Sequence, residues 1–140
     1  MGATHQESLF NISCDLEASG SEVRRRIASL IEGGADVMVT DKNGVTPLHF
    51  AARFRNFAAA SELVANGADV NAACKRSRST PLHRAVYSTG APGTAGRAKE
   101  RLQIIELLLG AGANPRAKNR TGKTPADYAA DSDAQALLQS

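Results

Sequence analysis

Two histidines stand in one local setting, Thr46-Pro47-Leu48-His49 and Thr80-Pro81-Leu82-His83, 34 residues apart. An imidazole can shuttle protons or ligate a metal near neutral pH, so these are the first side chains to test for chemistry. A zinc site needs more ligands at matching spacing. Cys14 and Cys74 are far apart and neither belongs to a Cys-x-x-Cys pair, so neither a zinc framework nor a disulfide framework is indicated. Nucleophilic catalysis would need a Ser, Cys or Lys set against one of the imidazoles, and phosphate chemistry a glycine-rich loop after a strand. Neither pattern occurs, and no paired carboxylates stand out. The sequence therefore predicts no catalytic residue, no metal, no cofactor and no enzyme activity.

The elements that position the histidines are short and periodic. Thr46 is a fit N-cap and Pro47 a fit first helical residue, where a missing N–H costs nothing. Leu48, Ala51 and Ala52 give one small apolar face. A second helix with Leu63 and Val64 closes at Gly67, a residue suited to the left-handed position after a helix. The whole unit recurs. Thr124-Pro125-Ala126-Asp127 is a weaker third copy of the start signal. Gly34-Ala35-Asp36-Val37, Gly67-Ala68-Asp69-Val70 and Gly112-Ala113-Asn114-Pro115 repeat the stop signal. Both markers span 78 residues, which is two periods of 33 plus 12 inserted residues. If the copies stack, their helix axes lie about 8–10 Å apart, whereas one zinc holds its nitrogens at about 2.0–2.1 Å, so His49 and His83 are not expected to share a metal.

A 33-residue unit opened by Thr-Pro-Leu-His and closed by Gly-Ala-Asp-Val-Asn resembles an ankyrin repeat, over about 85% of the chain. The resemblance implies an all-α solenoid of stacked helix-turn-helix units with projecting β-hairpin-like loops and a concave binding face. It assigns the histidines a structural role, hydrogen-bonding the neighbouring Thr-Pro loop. One domain, 1–140, then divides into an N-terminal cap (7–40), a repeat (41–73), a repeat with an insertion near 88–98 (74–117) and a C-terminal cap (118–140). In the second unit Arg55 and Asn56 replace the usual Gly and His of the inter-helix turn, and Asn56, which tolerates the left-handed conformation, is expected to preserve it. In the third unit, Leu102, Ile105, Leu108 and Leu109 are expected to face inward, with Glu100, Arg101, Gln103 and Glu106 outward. The helix of the first unit is announced by Ser21-Glu22, and Arg24, Arg25 and Arg26 are expected to splay into solvent.

Composition fits this reading. The chain is 42% apolar but only 4% aromatic with no Trp, as suits close helix packing through small aliphatic side chains. Charge is uneven. The net is +3, yet from Val70 to Ala126 there are 11 basic residues against Glu100 and Glu106, a local +9 that leaves −6 elsewhere. No secretory signal and no membrane-spanning stretch is readable, which gives an expectation of a cytoplasmic protein, or a nuclear one, or one in a host cytosol if it is an effector.

Within the family, partner contacts come from the loop tips and the exposed flank of the first helix. Those positions are Lys42, Asn43 and Val45; Arg53 and Phe54; Lys75, Arg76 and Arg78; Tyr87 and Ser88; and Arg120, Thr121 and Lys123. They are basic and partly aromatic, so the expected function is a monomeric, non-enzymatic protein-interaction module, an adaptor, inhibitor or effector, that grips an acidic protein partner. The alternative is binding of nucleic acid or another polyanion through 75–123, which a steep salt dependence would mark. Asn71, eight residues after Leu63, also resembles the setting in which an asparaginyl hydroxylase modifies ankyrin proteins.

Overall fold

A threonine holds the first turn of three helices in this chain. Thr46, extended at φ −96° and ψ 165°, accepts the His49 amide on its hydroxyl and gives its own amide to His49 Nδ1 at 3.1 Å. Thr80 and His83 repeat this, and at the third site the Asp127 carboxylate takes the Thr124 amide at 2.8 Å. The imidazole thus does the work that Glu or Gln does in the usual capping box. Helix ends repeat as faithfully. Gly67, at φ 90°, gives its amide to Val64 O and the next amide, of Ala68, reaches back to Leu63 O, a Schellman ending. The same pair of bonds follows Gly34 and Gly112.

The computed structural model describes residues 9–87 and 96–139. In chain order these form α1 (described over 9–13), α2 (Gly20–Glu32), α3 (Pro47–Arg53), α4 (Phe57–Ala65), α5 (Pro81–Val86), α6 (Ala98–Gly110), α7 (Pro125–Tyr128) and α8 (Ser132–Gln139). Among the described residues there is no strand. Helices α3, α5 and α7 pack side by side in one layer, and α2, α4, α6 and α8 in a second. An edge-on contact of Phe10 with Phe50, 5.4 Å between rings, sets α1 beside α3. Each helix pair rests on its neighbours, the all-α stacked architecture expected from the repeats.

The core runs between the layers. Leu9, Ile27, Leu48, Leu63, Leu82, Ile104, Ile105 and Leu108 are fully buried, and Ala51, Ala52, Ala59 and Ala60 let the helices approach closely. Each fully buried Leu or Ile contributes about 1.5–3 kcal/mol. Arg24, Arg25 and Arg26 do splay into solvent on α2, whose cap is Ser19, two residues before the expected signal.

Two expectations are corrected. Arg55, not Asn56, takes the left-handed turn, at φ 55°. Asn56 instead caps α4 through Oδ1, and its Nδ2 donates to Asp15 O at 3.0 Å with longer bonds to Ile12 O and Ser13 O. Asparagine is among the best N-caps, so the turn conformation falls to the residue before it. The stripe of α6 is also rotated, to positions 101, 104, 105 and 108, and Arg101 is only 5% exposed. The reason lies at the end of α5. There the chain leaves for the insertion, so the carbonyls of Val86 and Tyr87 need donors, and Arg101 bonds to both while pairing with Asp131 at 2.9 Å. Arg55 adds a bond to Tyr87 O at 3.2 Å. Leu102 and Leu109 are half-buried. Residues 88–95 of the insertion lie outside the described residues, and 96–98 lead into α6.

Candidate interaction surface

The loops between units are built around one turn, used three times. Asp41 folds its carboxylate back onto the amides of Asn43 and Val45, at 2.8 and 3.0 Å. Asn119 does the same for Thr121 and Lys123 and donates to the Tyr128 hydroxyl at 2.7 Å. Cys74 holds this place in the middle loop, where its thiol meets the Ser77 hydroxyl at 3.1 Å and Arg78 takes a left-handed φ of 56° to absorb the extra residue. Burial pushes the Cys74 thiol up, but hydrogen bonds from Ser77, Ser79 and Arg84 outweigh it and bring it down to about 7. Burial alone lifts the Cys14 thiol to about 11. Both cysteines are free.

The three loops are sewn together. The Lys75 amide donates to Asn43 O and the Arg120 amide to Ser77 O, both at 2.8 Å. The Arg120 guanidinium closes over the middle loop, giving Nε to Arg76 O at 2.6 Å and Nη2 to Lys75 O at 2.9 Å. Gly44 lies against Lys75 so closely that a Cβ there would fall 2.9 Å from Lys75 Cγ. Beneath the loops, His49 Nε2 meets Ser79 O and His83 Nε2 meets Lys123 O, each at 2.9 Å. Since Thr46 N–H can only donate and Ser79 O can only accept, His49 is the neutral Nε2–H tautomer. Burial holds His49 down at about 4 against the pull of the Ser79 bond, and His83 is lowered for the same reason.

This arrangement sorts the predicted contact residues. Lys42, Lys75, Arg76, Arg78, Arg120, Thr121 and Lys123 are exposed on the joined loop edge, with Asn43 half-buried among them. Among the described residues no ion pair involves any of these cations; Asp41 is turned onto the amides of its own loop, and Asp36 and Asp69 likewise accept the amides of Met38 and Asn71. Val45 is buried at 7% and drops out of the surface. Arg53, Phe54 and Tyr87 lie apart from that edge, on the inner helices, half-buried. Tyr87 packs edge-on against Tyr128, 5.2 Å between rings, and Arg53 lies over its face at 5.6 Å. Ser88 lies outside the described residues. Asn71 is exposed but engaged: Oδ1 accepts the Asn114 amide at 2.8 Å and Nδ2 donates to Gly112 O at 3.1 Å.

Sequence reasoning missed this Asn71 clasp, the Arg120 closure and the buried Arg101. Only Arg101 left a signal, its i, i+3, i+4, i+7 spacing with Ile104, Ile105 and Leu108. At the other end of the helices an open groove of ≈ 510 Å³ is lined by Asp15, Ser19, Arg24, Asn56, Arg97 and Glu100 among others. Its Arg97 is committed to Glu100 and Leu16 O, and no histidine or cysteine lines it. Among the described residues no group of three or more His, Cys, Asp or Glu is arranged to hold a metal, and no helix is long and apolar enough to cross a membrane.

Stacked helix pairs joined edge to edge through their loops define a repeat solenoid of the kind that presents a surface to other proteins. The chain belongs to the ankyrin-repeat family: the family model "Ankyrin repeats (3 copies)" matches residues 18–119. It is similar to human Rabankyrin-5, 39% identical over 97 residues that make up 69% of this chain and 8% of that protein. Neurogenic locus Notch protein of Drosophila melanogaster is 35% identical over 118 residues, 83% of this chain and 4% of Notch. Ankyrin repeat and SOCS box protein 16 of mouse is 35% identical over 120 residues, 80% of this chain and 24% of the relative. The chain thus spans a quarter or less of each of these relatives. Ankyrin repeats are general protein–protein interaction modules, and the family is generally non-catalytic.

Proposed function

We propose that this ankyrin stack binds an acidic protein partner, with the joined loop edge as the main contact and the inner-helix face around Arg53 and Tyr87 flanking it. One observation carries the reading: six exposed cations, Lys42, Lys75, Arg76, Arg78, Arg120 and Lys123, share an edge on which, among the described residues, none of them is tied up in an ion pair, Asp127 beside Lys123 being the nearby acidic group whose charge is felt. Such an array steers and orients an oppositely charged partner. The same edge attracts nucleic acid, the second reading, but single-strand binders rely on free aromatic faces for base stacking. Here the Tyr87 ring already has Arg53 over its face and Tyr128 against it. An adaptor or inhibitor working as a monomer in the cytoplasm or nucleus fits this reading, and fractionation of the tagged protein with sizing by light scattering checks both attributes.

Fluorescence anisotropy with a labelled oligoglutamate peptide and a labelled DNA duplex, each followed across a salt series, is the direct test. The expected result is peptide binding at low salt that falls about tenfold or more in Arg76→Glu/Arg78→Glu, with thermal unfolding unchanged. Peptide binding unaffected by the double reversal would refute the basic edge as the working surface. Duplex bound more tightly than peptide, with a steep salt slope, would move the assignment to polyanions.

A further inference from the structure

We infer that Arg120 is a positioning residue that fixes the loop edge as a ruler, and that the ruler selects an extended acidic segment whose carboxylates recur at every third residue. This rests on the reading that the edge binds an acidic protein. Most surface arginines offer their guanidinium to solvent or to a carboxylate. Arg120 instead spends two of its N–H groups on the carbonyls of Arg76 and Lys75, while its amide bonds to Ser77 O. Three bonds from one residue therefore fix the middle loop against the last one, and the Lys75 amide fixes the middle loop against the first.

Because the backbone is pinned, the rungs of charge sit at the spacing of the repeats. Lys42 belongs to the first loop, Lys75, Arg76 and Arg78 to the second, and Lys123 to the third. Neighbouring helices pack about 8–10 Å apart, and an extended chain rises about 3.3 Å per residue, so it meets a new loop roughly every third residue. Side chains do the recognising, since the loop amides of Lys75 and Arg120 are already bonded to the next loop. The inner-helix face adds little selectivity of its own, because Tyr87 is occupied by Arg53 and Tyr128.

Two peptides of identical composition test this, one with glutamate at every third position and one with the same glutamates in a single block, the remainder being serine and glycine. The parent chain is expected to prefer the spaced peptide by about fivefold or more, close to 1 kcal/mol. Arg120→Lys keeps the charge but cannot make the forked closure, so it is expected to lose that preference while still binding both peptides with the parent's salt dependence. A surface cation with no positioning role would be replaced by lysine without effect, and an unchanged preference in Arg120→Lys overturns the inference. So does a parent chain that binds both peptides equally. In either case, loss of both peptides in Arg76→Glu/Arg78→Glu still upholds the acidic-partner reading, and only if that double variant binds like the parent does the underlying reading fall as well.

Discussion

Lowering the pH from about 7 to about 5 is expected to weaken this fold ahead of its carboxylates, because His49 must stay neutral where it stands. Its Nδ1 receives the Thr46 amide, so a proton placed there would set two donors face to face. Burial is the larger cause, Arg84 adds repulsion, and the Ser79 carbonyl and Asp41 only partly offset them, leaving the folded imidazole at about 4 against 6.5 unfolded. Between those values the unfolded chain binds the extra proton and the folded chain does not, so stability is complete above about 6.5 and falls as the pH falls. At roughly 1.4 kcal/mol per unit the full loss is about 3 kcal/mol, of which about 2 is gone by about pH 5. Against the 5–15 kcal/mol of a typical domain, that loss is visible. His83 moves the same way. Urea unfolding followed by circular dichroism at stepped pH measures it, with His49→Gln as the control that cannot titrate. The parent is expected to lose about 2 kcal/mol more than the control over this range. Parallel slopes in the two chains, or a folded imidazole whose NMR shifts titrate near 6.5, would refute the reasoning.

Met38 occupies in the first unit the place of Asn71 in the second, and its sulfur accepts the Asp69 amide at 3.1 Å where Asn71 makes a two-bond clasp. Met38→Asn is therefore expected to stabilise the chain by about 1 kcal/mol in urea melts. Arg101→Ala leaves the Val86 carbonyl without its donor and removes the charge partner of the part-exposed Asp131, and is expected to cost about 2–3 kcal/mol, while Arg101→Lys recovers only part because an ammonium cannot reach Tyr87 O, Val86 O and Asp131 in one plane. Arg78→Gly relieves a left-handed φ of 56° on an exposed loop, so melting is expected to rise by about 1 kcal/mol while affinity for oligoglutamate falls. A variant that lost stability, or that kept the parent's affinity, would refute this.

Much of this was legible because start and stop signals act locally. Thr46-Pro47 and the Gly67 ending draw on their own backbone within a few residues, and their copies in the other units fixed the period without any tertiary information. The errors fell where a distant partner decides. Asn56 could serve the turn or the cap, and the carbonyls of Ile12, Ser13 and Asp15, more than forty residues away, favour the cap. Arg101 reads as a solvated cation until the open end of α5 and Asp131 are set beside it. The ankyrin resemblance places Val45 among the contacting loop-tip positions, yet the turn made by Asp41 rotates it inward. Arg120 and Lys42 hold equivalent places in their loops, and the sequence offers nothing to tell the residue that closes over a neighbour from the one left exposed.

Equivalent positions that carry different residues show how the stack distributes its cohesion. Between the second and third units the chain has His49 on Ser79 O, the Asn71 clasp and the Lys75 amide on Asn43 O. Between the third and fourth it has His83 on Lys123 O, Arg120 over the middle loop and Arg101 on Asp131. The first boundary has no Thr-Pro-Leu-His histidine in its first helix; among the described residues it is held by the Asn56 amide, a thioether acceptor at Met38, the Phe10–Phe50 ring contact and the packing of α2 on α4. In a solenoid, stability is nearly the sum of units and the interfaces between neighbours, so the thinnest interface sets where opening begins. Both of the boundaries joined by a Thr-Pro-Leu-His histidine lie under the cationic loop edge, so the bonds that hold the charges in register also join these units to each other.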